Sequence, residues 1–287
     1  MPVISASMKA AEMYALVFPG QGVQRKGMGA GLFGEFPGLT AQADRILGYS
    51  IAELCAQDPE NRLRDIRYAH PAIYFVNSLH ALQRGGRRYS CYAGHGLGEY
   101  NALVAAGLLD LLAGLDLIAK RADLMARVTH GAMAAVSGLP ATRVEHALRA
   151  NGLHSVHVAG RNSNLQVSIA GYRTQLRSAA MAMRLAGATQ VEAIAATGPY
   201  HTPLMAPAAQ AYAQILRGVD FRRGHTQVVS SITGDLFDWR QAVELLAGQF
   251  SGPIEWVRTV QTLRMLGVQR VDEVNGRTLS SFIKHIG

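Results

Sequence analysis

The sequence is short of charge, of aromatic residues and of cysteine. Charged side chains make up 17% of its 287 residues and hydrophobic ones 49%, which excludes a disordered chain and supplies one large core, or a large domain with a smaller one attached. Its 2 cysteines, Cys55 and Cys91, are too few for a disulfide framework or a zinc site, so reduced thiols in a reducing compartment are expected. No apolar run approaches the roughly 18 residues of a membrane span. The start, Met1 to Lys9, lacks the basic and apolar regions of a secretory leader, so a cytoplasmic protein is expected. The net charge of +8 favours an acidic partner. The basic residues are scattered, as at Arg25-Lys26 and Arg222-Arg223, without interleaved aromatics, which argues against a nucleic-acid surface.

What is present is an alternation of strand and helix patterns. The apolar run Tyr14–Phe18 ends in Pro-Gly-Gln-Gly and reads as a buried parallel strand delivering a tight loop. Helical spacing runs over Ala69–Leu82 (Ile73, Val76, Leu79, Leu82), with shorter helical patterns at Leu39–Leu47 and Ile51–Cys55. From Met133 to Ala195 the order becomes strand (MAAVSG), helix (Ala141–Ala150), two strands (SVHVA, LQVSIAG), helix (Arg173–Leu185) and strand (TQVEAIA). This βαββαβ order is that of a ferredoxin-like unit. The expected domains are therefore a large α/β domain over 1–131 and 197–287, and a small inserted subdomain over 132–196. Further helices are expected around Thr202–Leu216 and Trp239–Leu246.

The stretch GHGLGEY, residues 94 to 100, carries the chemical question. It follows the strand-like Tyr89–Ala93 and precedes an amphipathic helical stretch, which is the frame of a nucleophile elbow, Gly-x-Ser-x-Gly. Such an elbow needs small flanking residues because the strand-to-helix turn is strained and closely packed. Gly94 and Gly98 meet that need, but the nucleophile position is Gly96. A Gly-x-Gly-x-x-Gly phosphate loop has different spacing, and a purely structural glycine turn stays open.

The chain resembles the malonyl-CoA:acyl-carrier-protein acyltransferases, above all the free-standing, trans-acting ones of polyketide synthases. The resemblance rests on VFPGQGVQRKGMG, ADRILGYSIAELC, HPAIYFVN, GHGLGEYNALVAAGLLD, RADLM, GAMAAVSGL, NSNLQVSIAG, YHTPLM and GPIEWVRTV. It implies an α/β-hydrolase-like large domain carrying a ferredoxin-like subdomain. It also implies a general base at His201, an oxyanion-loop glutamine at Gln21, and an oxyanion amide from Leu97. By the same resemblance Arg121 grips the free carboxylate of malonyl, Asn162 and Met125 belong to the acyl pocket, and the backbone carbonyl of Glu255 orients the catalytic imidazole. The implied ligand is malonyl-CoA, with no permanently bound cofactor and no metal. The implied partner is the phosphopantetheine arm of an acyl carrier protein, and a monomer is expected.

Family members form an acyl-serine, and Gly96 has no side-chain oxygen with which to do so. Cys91 reads as a core residue, while Ser137 and Thr202 occupy no elbow. The expected behaviour is binding of acyl-CoA or carrier protein without an acyl-enzyme. The alternative is slow thioester hydrolysis by water and His201. Other departures from the family pattern fall near the same loops: His70 before Pro71, Gly160-Arg161, Gly198-Pro199, and EVNGRTL without a Gly-Pro-Gly. They favour a naturally noncovalent member over an engineered knockout.

Overall fold

The computed structural model describes residues 12–85 and 87–287. The leader reading of Met1 to Lys9 lies outside them. The strands are β1 (Tyr14–Phe18), β2 (Cys91–Gly94), β3 (Gly131–Ser137), β4 (Val156–Ser163), β5 (Gln166–Tyr172), β6 (Gln190–Ile194), β7 (Gln227–Val229) and β8 (Arg270–Glu273). They form two sheets, ordered β7-β2-β1-β8 and β4-β5-β3-β6.

The first sheet is parallel throughout. Strand β1 is apolar along its length because it lies between two neighbours and is covered on both faces. Leu16 and Phe18 enter the large core, whereas Ala15 and Val17 enter a second cluster with Trp256, Val260 and Leu263. Parallel strands all end at one edge, so the loops after β1, β2, β7 and β8 emerge together, where ligands bind in open α/β sheets.

The second sheet is antiparallel and has the strand order of a ferredoxin-like unit. Its helices, Ala141–Ala150 and Arg173–Leu185, bury Val144, Ala147, Leu148, Leu176, Ala179 and Met183 against one face, together with Val136, Val167 and Ile169. The period of two sends Met133 and Ala170 to the opposite face and into the core of the large domain. The chain is thus α/β with a parallel-sheet body and a separate antiparallel sheet. Main-chain bonds join the two: Ile254 N–H donates to the Ala159 carbonyl at 3.0 Å, and Arg161 N–H donates to the Ile254 carbonyl at 2.8 Å.

Most of the helices read from periodicity occur: Ile66–Gln83, Pro37–Leu47 and Ile51–Gln57 extend beyond the expected ends, whereas the Thr202 pattern is a 3₁₀ turn, Pro203–Met205, followed by a shorter helix, Ala206–Leu216. The Trp239 pattern is a 3₁₀ turn, Trp239–Gln241, continued by the helix Ala242–Ser251. The helix after the elbow departs from expectation. In Gly98–Ala105 every residue from Gly98 to Leu103 is buried, so the helix is not amphipathic. It is covered by the sheet on one side and by the helices Ile66–Gln83 and Leu111–Ala126 on the others. Among the described residues no helix is long and apolar enough to cross a membrane.

This helix can approach the sheet only because position 98 lacks a side chain. A Cβ on Gly98 would stand 2.0 Å from the Phe18 carbonyl oxygen, and one on Gly94 would stand 2.0 Å from the Gly98 carbonyl carbon. Both obstacles are backbone, which cannot swing aside as a side chain would. Gly98→Ala is expected to destabilise the fold by about 3 kcal/mol or more, as overpacking at a rigid seam does. Chemical denaturation of the purified variant checks this.

Candidate active site

The elbow turns at Gly96, which has φ +55°. In that left-handed region a residue with a Cβ is strained by about 1–2 kcal/mol, and glycine is not. The turn is held by Gly98 N–H donating to the His95 carbonyl at 3.1 Å and by Glu99 N–H donating to the Gly96 carbonyl at 3.1 Å. A Cβ built on Gly96 would lie 3.5 Å from His201 Nε2, 3.6 Å from its Cε1 and 3.8 Å from Ile254 Cδ1. The elbow therefore aims its missing side chain at the imidazole, and a Cβ there would make ordinary contacts without a clash.

His201 is itself in the left-handed region, with φ +61°. Its turn is braced by the Thr202 hydroxyl, which donates to the Pro199 carbonyl at 2.6 Å. Its Nδ1–H donates to the Gln249 carbonyl at 2.6 Å, which leaves Nε2 as the acceptor facing Gly96. Burial, then the nearby Arg121 cation, push the imidazole down to about 3, so it stands neutral near pH 7 with a free lone pair. That is the protonation state of a general base.

The carbonyl that orients the imidazole belongs to Gln249, which corrects the expectation for Glu255. The Glu255 carbonyl is occupied by the N–H and hydroxyl of Thr259, at 2.9 and 3.0 Å. Its carboxylate pairs with Arg161, away from the cavity. The difference follows from chain path: Glu255 caps the helix Trp256–Met265, so its carbonyl accepts that helix's first bond.

Gln249 also binds through its side chain. Its Oε1 accepts from Arg121 NH2 at 3.1 Å and its Nε2 donates to Glu99 Oε2 at 3.1 Å. Glu99 Oε2 also accepts from the Ser231 amide at 3.0 Å and from the Ser231 hydroxyl. Burial still pushes the Glu99 carboxyl up. One amide thus links a buried acid to a buried base without their touching.

Arg121 is 1% exposed, on the helix Leu111–Ala126. Its other neighbours are neutral: His70 Nδ1 at 3.5 Å from NH1, and the rings of Phe250 and Tyr100, whose centroids lie 5.3 and 5.9 Å from the guanidinium carbon. Its Nε has no hydrogen-bond partner among the described residues. A buried cation held only by neutral groups, with a donor unused, is a receptor for an anionic group; a carboxylate fits its planar fork.

These side chains line a cavity of about 110 Å³ bounded by Gln21, His70, His95, Gly96, Leu97, Arg121, Met125, Met133, Ser168, Ile194, Tyr200 and His201. Five of the expected side chains or positions, Gln21, Leu97, Arg121, Met125 and His201, therefore meet Gly96 in one wall. Gln21 is held by Nε2–H donating to the Ala195 carbonyl at 3.0 Å, with Oε1 3.3 Å from His70 Nε2. Asn162 departs from expectation. It does not line the cavity but stands behind it, taking His95 Nε2–H on Oδ1 at 2.9 Å and donating to Ser168 Oγ at 2.9 Å. Both ends of its amide are used, so it positions two lining residues in place of meeting a ligand. Cys91 is buried at the sheet with its thiol pushed up to about 11, which excludes it as a substitute nucleophile. Gln249, Ser168 and Ile194 gave no signal in the sequence, because long-range packing alone brings them here.

Comparison with known proteins identifies the family and the fold. Residues 15–252 match the acyl transferase domain family. The chain is 36% identical over 279 residues, 96% of each chain, to the polyketide biosynthesis malonyl CoA-acyl carrier protein transacylase BaeC of Bacillus velezensis. Among solved structures, malonyl CoA-acyl carrier protein transacylase of Burkholderia pseudomallei superposes with a TM-score of 0.91 at 34% identity, covering 96% of this chain and 98% of that one. A type II PKS acyl-carrier protein in complex with its malonyl-transacylase, PlMCAT:AntF, gives 0.91 at 32% identity, covering 96% and 93%. This chain belongs to the acyl transferase family, among the malonyl CoA-acyl carrier protein transacylases of polyketide biosynthesis.

Proposed function

We propose that this protein binds malonyl-CoA and an acyl carrier protein in polyketide biosynthesis and forms no acyl-enzyme. One observation carries the reading: the elbow, the neutral base and the buried arginine are assembled around one cavity, and the elbow's apex is Gly96. Arg121 takes the free carboxylate of malonyl. The thioester carbonyl lies towards the Leu97 amide and the Gln21 loop, and His201 Nε2 faces the space above Gly96. The phosphates of CoA and the acidic surface of a carrier protein suit a chain of net charge +8. We place the protein in the cytoplasm as a monomer without a resident cofactor, in keeping with its two buried, unpaired cysteines.

A second reading has one specific observation behind it. The free lone pair of His201 Nε2 belongs to the wall of the cavity of about 110 Å³, which is large enough for a water. A water polarised there can attack the thioester, giving slow hydrolysis: the C–S bond breaks, and the thiol leaves with the proton that His201 took from the water.

Two experiments decide between these readings. Gly96→Ser places a hydroxyl within reach of His201 Nε2, so incubation with malonyl-CoA is expected to add one malonyl group to the intact mass, at a stability cost of about 1–2 kcal/mol from the left-handed backbone. The unaltered protein is expected to bind malonyl-CoA without any mass increase. Sustained release of free CoA, abolished by His201→Ala, would favour the hydrolase.

Arg121→Gln is expected to weaken malonyl-CoA binding by about 10- to 100-fold, which corresponds to roughly 1.5–3 kcal/mol for a charged hydrogen-bonded pair. Binding of acetyl-CoA, which has no second carboxylate, is expected to change little. Calorimetric titration of both thioesters checks the difference, and equal losses for the two would remove Arg121 from carboxylate recognition.

A further inference from the structure

His70 lines the cavity from the helix Ile66–Gln83 and is 1% exposed. It touches the two groups to which the proposed reading gives the ligand's two ends. Arg121 NH1 approaches its Nδ1 at 3.5 Å, and its Nε2 stands 3.3 Å from Gln21 Oε1. Arginine can only donate, so Nδ1 carries the lone pair. Nε2 then carries the hydrogen and donates to Gln21 Oε1, whose amide nitrogen in turn donates to the Ala195 carbonyl. One imidazole thus joins the cation to the loop after β1. A glutamine side chain could make a similar donor and acceptor pair, but only the imidazole can also take a proton.

We propose that His70 is a specificity-determining residue for acyl groups bearing a carboxylate, receiving that carboxylate beside Arg121 and tying its arrival to the Gln21 loop. This rests on the reading of Arg121 given above. In the free protein Arg121 NH1 leans on Nδ1. When a carboxylate seats on the guanidinium, NH1 turns to it, and Nδ1 takes one proton from solvent and donates it to the carboxylate. The only bond formed is N–H on Nδ1, its proton leaving a solvent hydronium, and the ring keeps that proton while hydrogen-bonding to the carboxylate. Nε2–H keeps its bond to Gln21 throughout, so the loop is held most firmly when the ring is charged and the carboxylate is in place.

The surrounding charges set the sign. The ionisable groups facing His70 are Arg121 from the helix Leu111–Ala126 and His201 from the turn after Pro199, with Glu99 two links further through Gln249. Burial first, then Arg121 and His201, hold the free imidazole well below its ordinary range, so it is neutral. A ligand carboxylate offsets the Arg121 cation and favours the charged ring. Binding therefore takes up a proton, so affinity is greatest below the pKa of the free ring, falls as pH rises from there to the pKa of the bound state, and levels off above it.

The test is calorimetric titration of malonyl-CoA and acetyl-CoA into the whole protein, each in two buffers of different ionisation enthalpy, across about pH 6 to 8. Subtracting the acetyl-CoA result removes the contribution of the CoA phosphates. Malonyl-CoA is expected to take up a fraction of one proton more than acetyl-CoA, and its affinity to fall by up to about tenfold per pH unit relative to acetyl-CoA. His70→Gln, checked for folding by circular dichroism, is expected to lose the extra proton uptake and the relative pH slope, and with them up to about tenfold of the malonyl-CoA affinity at pH 6. Unchanged uptake in His70→Gln would assign the proton to His201 and overturn the proposal. Equal uptake with both thioesters would overturn it while leaving the malonyl-CoA reading intact. Failure of the unaltered protein to bind either thioester would overturn both.

Discussion

A single glutamine couples the two charged requirements of this site. Gln249 is fully buried, and its three polar groups act on three different partners: the carbonyl orients His201, Oε1 holds Arg121, and Nε2 holds Glu99. Burying an arginine and a glutamate apart would cost several kcal/mol for each ion. Linking them through an amide lets each see a partial opposite charge while Arg121 keeps its remaining donors for the cavity. Direct pairing with Glu99 would satisfy the guanidinium and remove its appetite for a ligand anion. The separation of the two charges by one side chain is what leaves the site an anion receptor.

The same coupling fixes protonation. Burial first, and then the nearby Arg121 cation, lower both His70 and His201, and the charge of Arg121 stays unneutralised by any adjacent acid among the described residues. A base needs an available lone pair near neutral pH, and burial beside an uncompensated cation supplies it. The covering sheet completes the arrangement: Met133, Ser168 and Ile194 come from three of its strands, on the face turned away from the helices of the small unit. The Ile254 main-chain bonds to β4 hold that face against the elbow, which explains how Ile254 reaches within 3.8 Å of the Gly96 Cβ direction.

The sequence made much of this legible, for identifiable reasons. Strand β1, the βαββαβ order and the elbow frame each follow from local pattern: an apolar run, a change of period, and glycines where backbones touch. The short strands β7 and β8 carried no signal, because Gln227–Val229 is three residues long and Arg270–Glu273 mixes charge with apolar residues. The helix Gly98–Ala105 differs from its amphipathic reading since periodicity cannot register burial on every side. In the site, Gln21, Leu97, Arg121, Met125 and His201 came from resemblance. Glu255 and Asn162 failed because neighbouring residues in a chain can face different ways: a helix cap claims the Glu255 carbonyl, and two inward partners claim the Asn162 amide. Gln249 was invisible, being one more polar residue in a helix until the fold set it against three partners.

Gly96 takes a different meaning when the backbone is considered apart from the chemistry. The elbow is held by the hydrogen bonds of Gly98 and Glu99 and by the close approach of Gly98 to Phe18, none of which involves a side chain at 96. Arg121, His70 and Gln21 are likewise held by partners elsewhere. Recognition and the covalent step are therefore separable here. At φ +55° a serine is maintained against a backbone cost of about 1–2 kcal/mol, which only its chemistry can justify. For a protein that holds a thioester without taking its acyl group, glycine is the residue this turn favours, and the vacated direction becomes room beside a neutral imidazole.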